Sequence, residues 1–242
     1  MSRQRHRGKN PEDDKLFNPQ QMVLLRSAVE DLSYLYTRGY SEKIALKIVG
    51  DHYQLKGRQR LAIQRAVCSD ASLDIRRKSE VGGNLNKGER FLIDGYNILI
   101  TVESLLSGGV LICGRDGCIR DIAGLHGSYR RVEETIPAIE WIGKNLSVFE
   151  PLEVWWFLDK PISNSKRLSY LLKEISNKHD WKWEIKVVDN PDYEIVNEEG
   201  IVISSDSWIL DRVFHWFNFV SRNIKPRWNR EYILDFSVER NK

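Results

Sequence analysis

Apolar residues recur at three- and four-residue steps through Met22, Leu25, Val29, Leu32, Leu35 and Tyr36, a spacing that predicts an amphipathic helix. Asn18-Pro19 supplies its start, with Asn as N-cap and Pro at the first helical position, and Gly39 its close. Ser41 opens a second helix with Ile44, Ala45, Ile48 and Val49 on one face, and Gly50 is expected to end it. A third helix is predicted from Lys56 to about Val67. Residues 1–16 are polar with clustered charge and predict a disordered tail. Turn signals at Gly82-Gly83-Asn84 and Asn86-Lys87-Gly88 mark residues 78–89 as a linker. The chain thus divides into a helical module over 17–77 and a second unit over 90–242.

In the second unit the pattern changes to short continuous apolar runs at residues 91–93, 154–158 and 201–203, with a weaker one at 183–188. Such runs suit strands buried on both faces of a parallel sheet. Helical patterns lie between and after them, at 125–143, 165–178 and 207–222. The alternation predicts an α/β sandwich with a mainly parallel central sheet.

Three of these runs end in an aspartate: Asp94, Asp159 and Asp206. The C-terminal ends of parallel strands lie along one sheet edge, where ligands bind. Carboxylates gathered there repel and raise one another's pKa. A hard divalent cation removes that conflict, and Mg²⁺ or Mn²⁺ prefers carboxylate and water oxygens. Such a cation activates water and stabilises charge on a phosphoryl group. Singly, Asp94 and Asp206 also read as helix N-caps and Asp159 as a turn residue. Their shared position after successive strands favours a site. Asp211, five residues beyond Asp206, reads as a fourth ligand or as a partner for a cation such as Arg212.

Charge sharpens the division. Residues 1–90 carry 18 Lys and Arg against 11 Asp and Glu, while residues 91–242 carry 19 against 23. A basic module beside an acidic one fits nucleic-acid capture next to a carboxylate cluster, and also fits ordinary surface charge. Lys56, Arg58, Arg60 and Arg65 on the third helix are placed to dock on a phosphate backbone or to form a solvated face. Cys113 and Cys118 bracket a Gly-Arg-Asp-Gly turn and read as hairpin neighbours, because no further ligands complete a zinc site. No run approaches the roughly 18 apolar residues that span a bilayer, and no apolar segment follows the basic start, so a cytoplasmic location is expected. The sequence lacks a P-loop, a dinucleotide glycine fingerprint, a zinc-protease helix and a nucleophile elbow.

A second polar concentration runs from Arg120 to Arg130. Gly124 and Gly127 would let backbone amides approach a phosphate, Arg120 and Arg130 would clamp its oxygens, and His126 would move a proton. Asp121 and Ser128 complete this candidate substrate site, whose alternative is a structured loop with Arg120 paired to Asp121. Ser163 or Asn164 caps the helix after Asp159, a helix end that can also bind a phosphate oxygen. Tyr193, Trp208 and Trp216 are candidates for base stacking, with buried packing the alternative.

Phe91-Leu92-Ile93-Asp94-Gly95-Tyr96-Asn97 resembles the first strand of PIN and NYN-type nucleases, and Ile203-Ser204-Ser205-Asp206 resembles their later strand ending in Ser/Thr-x-Asp. The resemblance implies a metal-binding role for Asp94 and a supporting role for Asn97. Over residues 17–225 the chain resembles a mainly archaeal family that pairs a helical domain of unknown function 434 with a PIN-like domain of unknown function 5616. The segments that carry this are Asp51-His52-Tyr53-Gln54-Leu55, Arg58-Gln59-Arg60, Asp94-Gly95-Tyr96-Asn97, the stretch from Arg120 to Arg130, Leu158-Asp159-Lys160-Pro161-Ile162-Ser163 and Ser204-Ser205-Asp206-Ser207. The chain departs from the PIN pattern in its helical acid, for which only Glu133 or Glu134 stands in place, and in the final aspartate. The resulting expectation is a PIN-like α/β/α sandwich behind a small helical module. It would hydrolyse phosphodiesters, chiefly RNA, with Mg²⁺ or Mn²⁺ on Asp94, Asp159 and Asp206. A non-catalytic RNA-binding protein and a metal-dependent enzyme for a small phosphorylated molecule are the alternatives, and a homodimer is expected by analogy alone.

Overall fold

A computed structural model describes residues 6–82, 85–123, 129–224 and 232–238. Five helices open the chain: α1 (Asp13–Leu16), α2 (Pro19–Thr37), α3 (Glu42–His52), α4 (Gly57–Ala66) and α5 (Asp70–Ser79). The Asn18 side chain accepts from the Gln21 amide at 2.9 Å, so the predicted cap forms. Gly50 does not end α3. It lies where the Arg60 guanidinium crosses the helix, and a Cβ there would stand 2.4 Å from Arg60 Nη1. The tail is not disordered over residues 6–16. Asp13 is buried and receives Arg58 Nε and Nη2 at 2.5 and 3.0 Å, and Arg7 donates to the buried Glu103.

The main sheet comprises β1 (Arg90–Asp94), β4 (Glu153–Asp159), β5 (Trp183–Val188) and β6 (Ile201–Ile203), in the order β5-β4-β1-β6 with every pairing parallel. One face, through Phe91, Ile93, Trp156 and Leu158, packs on α6 (Gly95–Leu106), α7 (Thr135–Ser147) and α8 (Ser165–Lys178). The other, through Leu92, Phe157 and Val202, packs on α9 (Pro191–Asn197) and α10 (Ser207–Leu210). This is a three-layer α/β/α arrangement, with strands apolar on both sides as their composition requires.

Two predicted helices change. The one expected over 125–143 begins at Thr135. The one expected over 207–222 splits into α10 and α11 (Phe219–Asn223), because Trp216 between them extends the sheet edge instead. Phe217 N donates to Val202 O at 2.8 Å, and Val81 N donates to Trp216 O at 2.8 Å. Residues 79–81 of the expected linker are therefore bound to the second unit.

A smaller sheet, in the order β3-β2-β7, contains β2 (Leu111–Cys113), β3 (Ile119–Asp121) and β7 (Ile233–Asp235). β2 and β3 form the hairpin that carries Cys113 and Cys118. Its outer residues Ile112, Ile122, Leu234 and Phe236 share one core with Leu25, Leu32, Ala45 and Ile63 of the helices. The helical module is thus completed by strands from the second unit.

Where α5, the hairpin and the loop around α10 meet, four charged side chains close on one another. Asp116 receives Arg76 Nη1 at 2.7 Å and Arg120 Nη1 and Nη2 at 2.8 and 2.6 Å, and all three residues are buried. Asp211 receives Arg76 Nε at 2.7 Å and Ser72 Oγ at 3.1 Å. Burial alone would discourage charge on Asp116, yet the two arginines hold its carboxyl well below the usual range. Truncating one member of such a group strands its partners in a dry site. Asp116→Ala is expected to cost about 3–5 kcal/mol in urea denaturation. Glu150→Gln, which removes the exposed Lys87–Glu150 pair, is expected to cost less than about 1 kcal/mol in the same measurement.

Candidate active site

The chain runs from β1 outward through β4 and β5, then returns to place β6 on the other side of β1. Strand order reverses between β1 and β6, so a crevice opens beyond their carboxyl ends. Asp94 ends β1 and Ser204 follows β6, and Ser204 Oγ donates to Asp94 Oδ2 at 2.8 Å across that crevice. Ser204 Oγ also accepts the Asp206 amide at 2.9 Å. Asn97 Oδ1 accepts both Ser205 N and Ser205 Oγ at 2.9 Å, which pins the loop from the α6 side. Gly95 is required here: a Cβ on it would stand 2.6 Å from the Phe157 carbonyl oxygen of β4. The Asp-Gly step lets α6 leave β1 hard against its neighbour strand.

Asp94 is 8 % exposed. Burial pushes its carboxyl up to about 8, and the neighbouring charges of Asp206, Asp192 and Asp159 act in the same direction against the Ser204 hydrogen bond. Burial also raises Asp159. Asp192 is raised by burial and by Asp206 and Asp159. Four carboxylates from β1, β4, α9 and the loop after β6 therefore lie within electrostatic reach of one another at this end of the sheet. Asp192 is the residue that sequence reasoning missed. Its signal was Asn190-Pro191, the same cap-and-proline start as Asn18-Pro19, and Asn190 Oδ1 does accept the Tyr193 amide at 3.2 Å. Asp189, which follows β5, turns away to Lys160 instead.

The cluster is loose. Among the described residues, no three His, Cys, Asp or Glu side chains are grouped closely enough to form a ready metal cage. The donor set still suits a hard cation: burial, with a smaller push from the neighbouring carboxylates, discourages charge on Asp94, and an ion among these oxygens would offset both. Asp206 keeps its ordinary role as well, with Oδ1 accepting Trp208 N and Ile209 N at 2.8 and 3.3 Å. Tyr193, 59 % exposed, follows Asp192 directly and Trp208, 41 % exposed, lies two residues after Asp206, whereas Trp216 is buried with its indole N–H on Arg76 O.

Several expected site residues serve other ends. Asp211 takes the second of its two expected roles, as partner of a cation, with Arg76 in place of Arg212 and Ser72 on its other oxygen. Arg120 is buried against Asp116 and donates through Nε to Ser205 O at 2.8 Å, so it braces the site loop from behind rather than clamping substrate. Asp121 Oδ1 caps the turn at Ala123 N. Arg58 and Arg60 lie on α4, where Arg58 is committed to Asp13 and Arg60 to Asp51 and Leu55 O, so this helix has no continuous basic face. Lys56 is exposed and Arg65 half-buried on that helix. Glu134 and Glu133 pair with His6, away from the crevice. Ser163 is exposed, and neither it nor Asn164 caps α8. Asn164 has a left-handed backbone and turns its amide to Tyr129 O at 2.9 Å. Arg130 is exposed. His126 and Ser128 lie outside the described residues.

Fold and crevice define an α/β protein with an acidic site at a parallel-sheet switch point. The chain belongs to the family of domain of unknown function 5616, whose model matches residues 84–222, and residues 24–78 match the protein of unknown function 434. An uncharacterised protein of Methanocaldococcus jannaschii is 32% identical over 215 residues, covering 89% of this chain and 95% of the relative. No solved structure matches the chain.

The raised Asp94 carboxyl gives a signed pH dependence. A free aspartate titrates near 4. Between that value and about 8 the native chain holds a proton that the unfolded chain has lost, so stability falls as pH rises through this window. Asp94→Asn removes the fall. Urea denaturation at pH 5 and pH 8 is expected to show a loss for the parent larger than that of Asp94→Asn by on the order of 3 kcal/mol. Equal losses would mean that Asp94 is ionised throughout.

Proposed function

We propose that this chain is a PIN-like, metal-dependent phosphodiesterase that cleaves RNA in the cytoplasm. The observation that carries the reading is the convergence of Asp94, Asp159, Asp192 and Asp206 on the crevice between β1 and β6. Asp94, Asp159, Asp192 and Asp206 would hold Mg²⁺ or Mn²⁺. When bound, such an ion neutralises phosphoryl charge and activates water. The chain's own residues do the rest. Ser204 and Asn97 fix the loop that presents Asp206, and Arg120 fixes the same loop through Ser205 O. Tyr193 and Trp208 are exposed beside Asp192 and Asp206, with the Arg212 guanidinium 4.2 Å over the Trp208 ring, and aromatic side chains with a cation beside them suit stacked bases, which favours a polymer over a small phosphorylated molecule.

The test is cleavage of mixed single-stranded and structured RNAs with Mn²⁺, run beside thermal denaturation with and without Mn²⁺. The parent is expected to cleave, and Asp94→Asn and Asp192→Asn to lose on the order of a hundredfold in rate. Mn²⁺ is expected to raise the parent's Tm and leave that of Asp94→Asn unchanged. Absence of cleavage, or equal cleavage by parent and Asp94→Asn, would sink the reading. A parent that binds RNA without cleaving it, and whose Tm ignores Mn²⁺, would be a non-catalytic binding protein.

A further inference from the structure

A cavity of about 340 Å³ opens between the chain entering α7 and the first turns of α8. Its inner wall is Tyr129, Thr135 and Leu168, all buried, and its rim carries Arg130, Arg131 and Arg167, all exposed. None of these three arginines has an ion pair or hydrogen bond with a described residue. The nearby carboxylates are engaged elsewhere, as Glu133 and Glu134 both turn to His6. Guanidinium groups stay charged at any pH the fold survives. Three of them around one cavity repel until an anion enters.

The cavity adjoins the acidic crevice through a short chain of contacts. Asn164 on the cavity wall donates to Tyr129 O at 2.9 Å. The next residue, Ser165, donates to the Asp159 carbonyl and bonds Tyr96 OH at 2.9 Å, and the Tyr96 ring packs on that of Tyr129 with centroids 5.2 Å apart. Asp159 and the arginine rim therefore lie on either side of one turn. The rim suits phosphate oxygens, because guanidinium forks match them with paired donors. The Tyr129 and Leu168 wall suits a sugar or base.

We propose that this cavity binds an RNA nucleotide through its phosphate on Arg130, Arg131 and Arg167, next to the phosphodiester held at the carboxylates. The order of the two sites rests on the phosphodiesterase reading, whereas binding at the cavity does not. The test is fluorescence anisotropy of a 3′-labelled octaribonucleotide with the full chain in EDTA, titrated with KCl. Both Arg131 and Arg167 are exposed, so Arg131→Gln/Arg167→Gln keeps the fold. That double variant is expected to bind about tenfold or more weakly, and the slope of log affinity against log salt to shrink by about 1.4, at roughly 0.7 per phosphate contact on a single strand. Asp94→Asn is expected to bind at least as tightly as the parent. Adenosine 5′-monophosphate is expected to compete where adenosine does not. Unchanged affinity and slope in the double variant would overturn the assignment. So would displacement of the RNA by polyglutamate as readily as by polyuridylate, which would point to an acidic protein partner. Intact EDTA binding with no Mn²⁺-dependent cleavage would fail the phosphodiesterase reading alone. Cleavage with unchanged binding by the double variant would fail the cavity alone.

Discussion

Two arginines and two aspartates, Arg76, Arg120, Asp116 and Asp211, neutralise one another at the junction of α5, the β2–β3 hairpin and the loop around α10. None of these charges would survive burial alone, since the cost of drying each ion is several kcal/mol. Together they satisfy nearly every donor. Arg76 also reaches Ser207 O, Arg120 reaches Ser205 O, and Asp116 accepts the Cys118 amide. The group is thus a set of directional constraints. It fixes the hairpin to α5 and fixes both to the two carbonyls that flank Asp206.

The same network accounts for the electrostatics of the crevice. The loop after β6 presents its carbonyls to the arginines and its side chains to the opposite side, where Ser204 meets Asp94 and Ser205 meets Asn97. Because Arg76 and Arg120 are consumed by Asp116 and Asp211, their charge does not relieve the carboxylates in front. Burial and carboxylate neighbours dominate Asp94, and its affinity for a proton rises accordingly. A strong cationic scaffold and an uncompensated anionic site coexist within a few residues because each arginine already faces its own aspartate.

Much of this was legible in the chain. The four apolar runs became the four parallel strands, because buried strands need apolar side chains on both faces. Asp94, Asp159 and Asp206 fell on one edge because parallel strands end together. Asp192 was hidden because it arrives on a helix that follows an edge strand, and apolar periodicity is weak in a helix as short as α9. The partners of Asp211 and Arg120 were hidden because local sequence does not reveal a contact such as that with Arg76, some 135 residues from Asp211 in the chain. Trp216 was read as helical because its spacing to Val213 and Phe217 fits both a helix face and an apolar edge, and only the pairing with Val202 decides between them.

Net charge does not by itself place a phosphate-binding face on the helical module. The excess of Lys and Arg over residues 1–90 suggested a face for a phosphate backbone, yet a charge acts on a distant partner only when no nearer one screens it. Arg58, Arg60 and Arg76 each meet an aspartate, and the apolar faces of α2 and α4 are closed by Ile112, Leu234 and Phe236 from the other unit. The module therefore serves as scaffold for the hairpin that braces the site loop. Arg26 and Arg65 of the module have no described ion pair either, but the three arginines that gather at one cavity, Arg130, Arg131 and Arg167, lie in the nominally acidic half. A search for the anion-binding face should follow unpaired guanidinium groups rather than the sum of charges along the sequence.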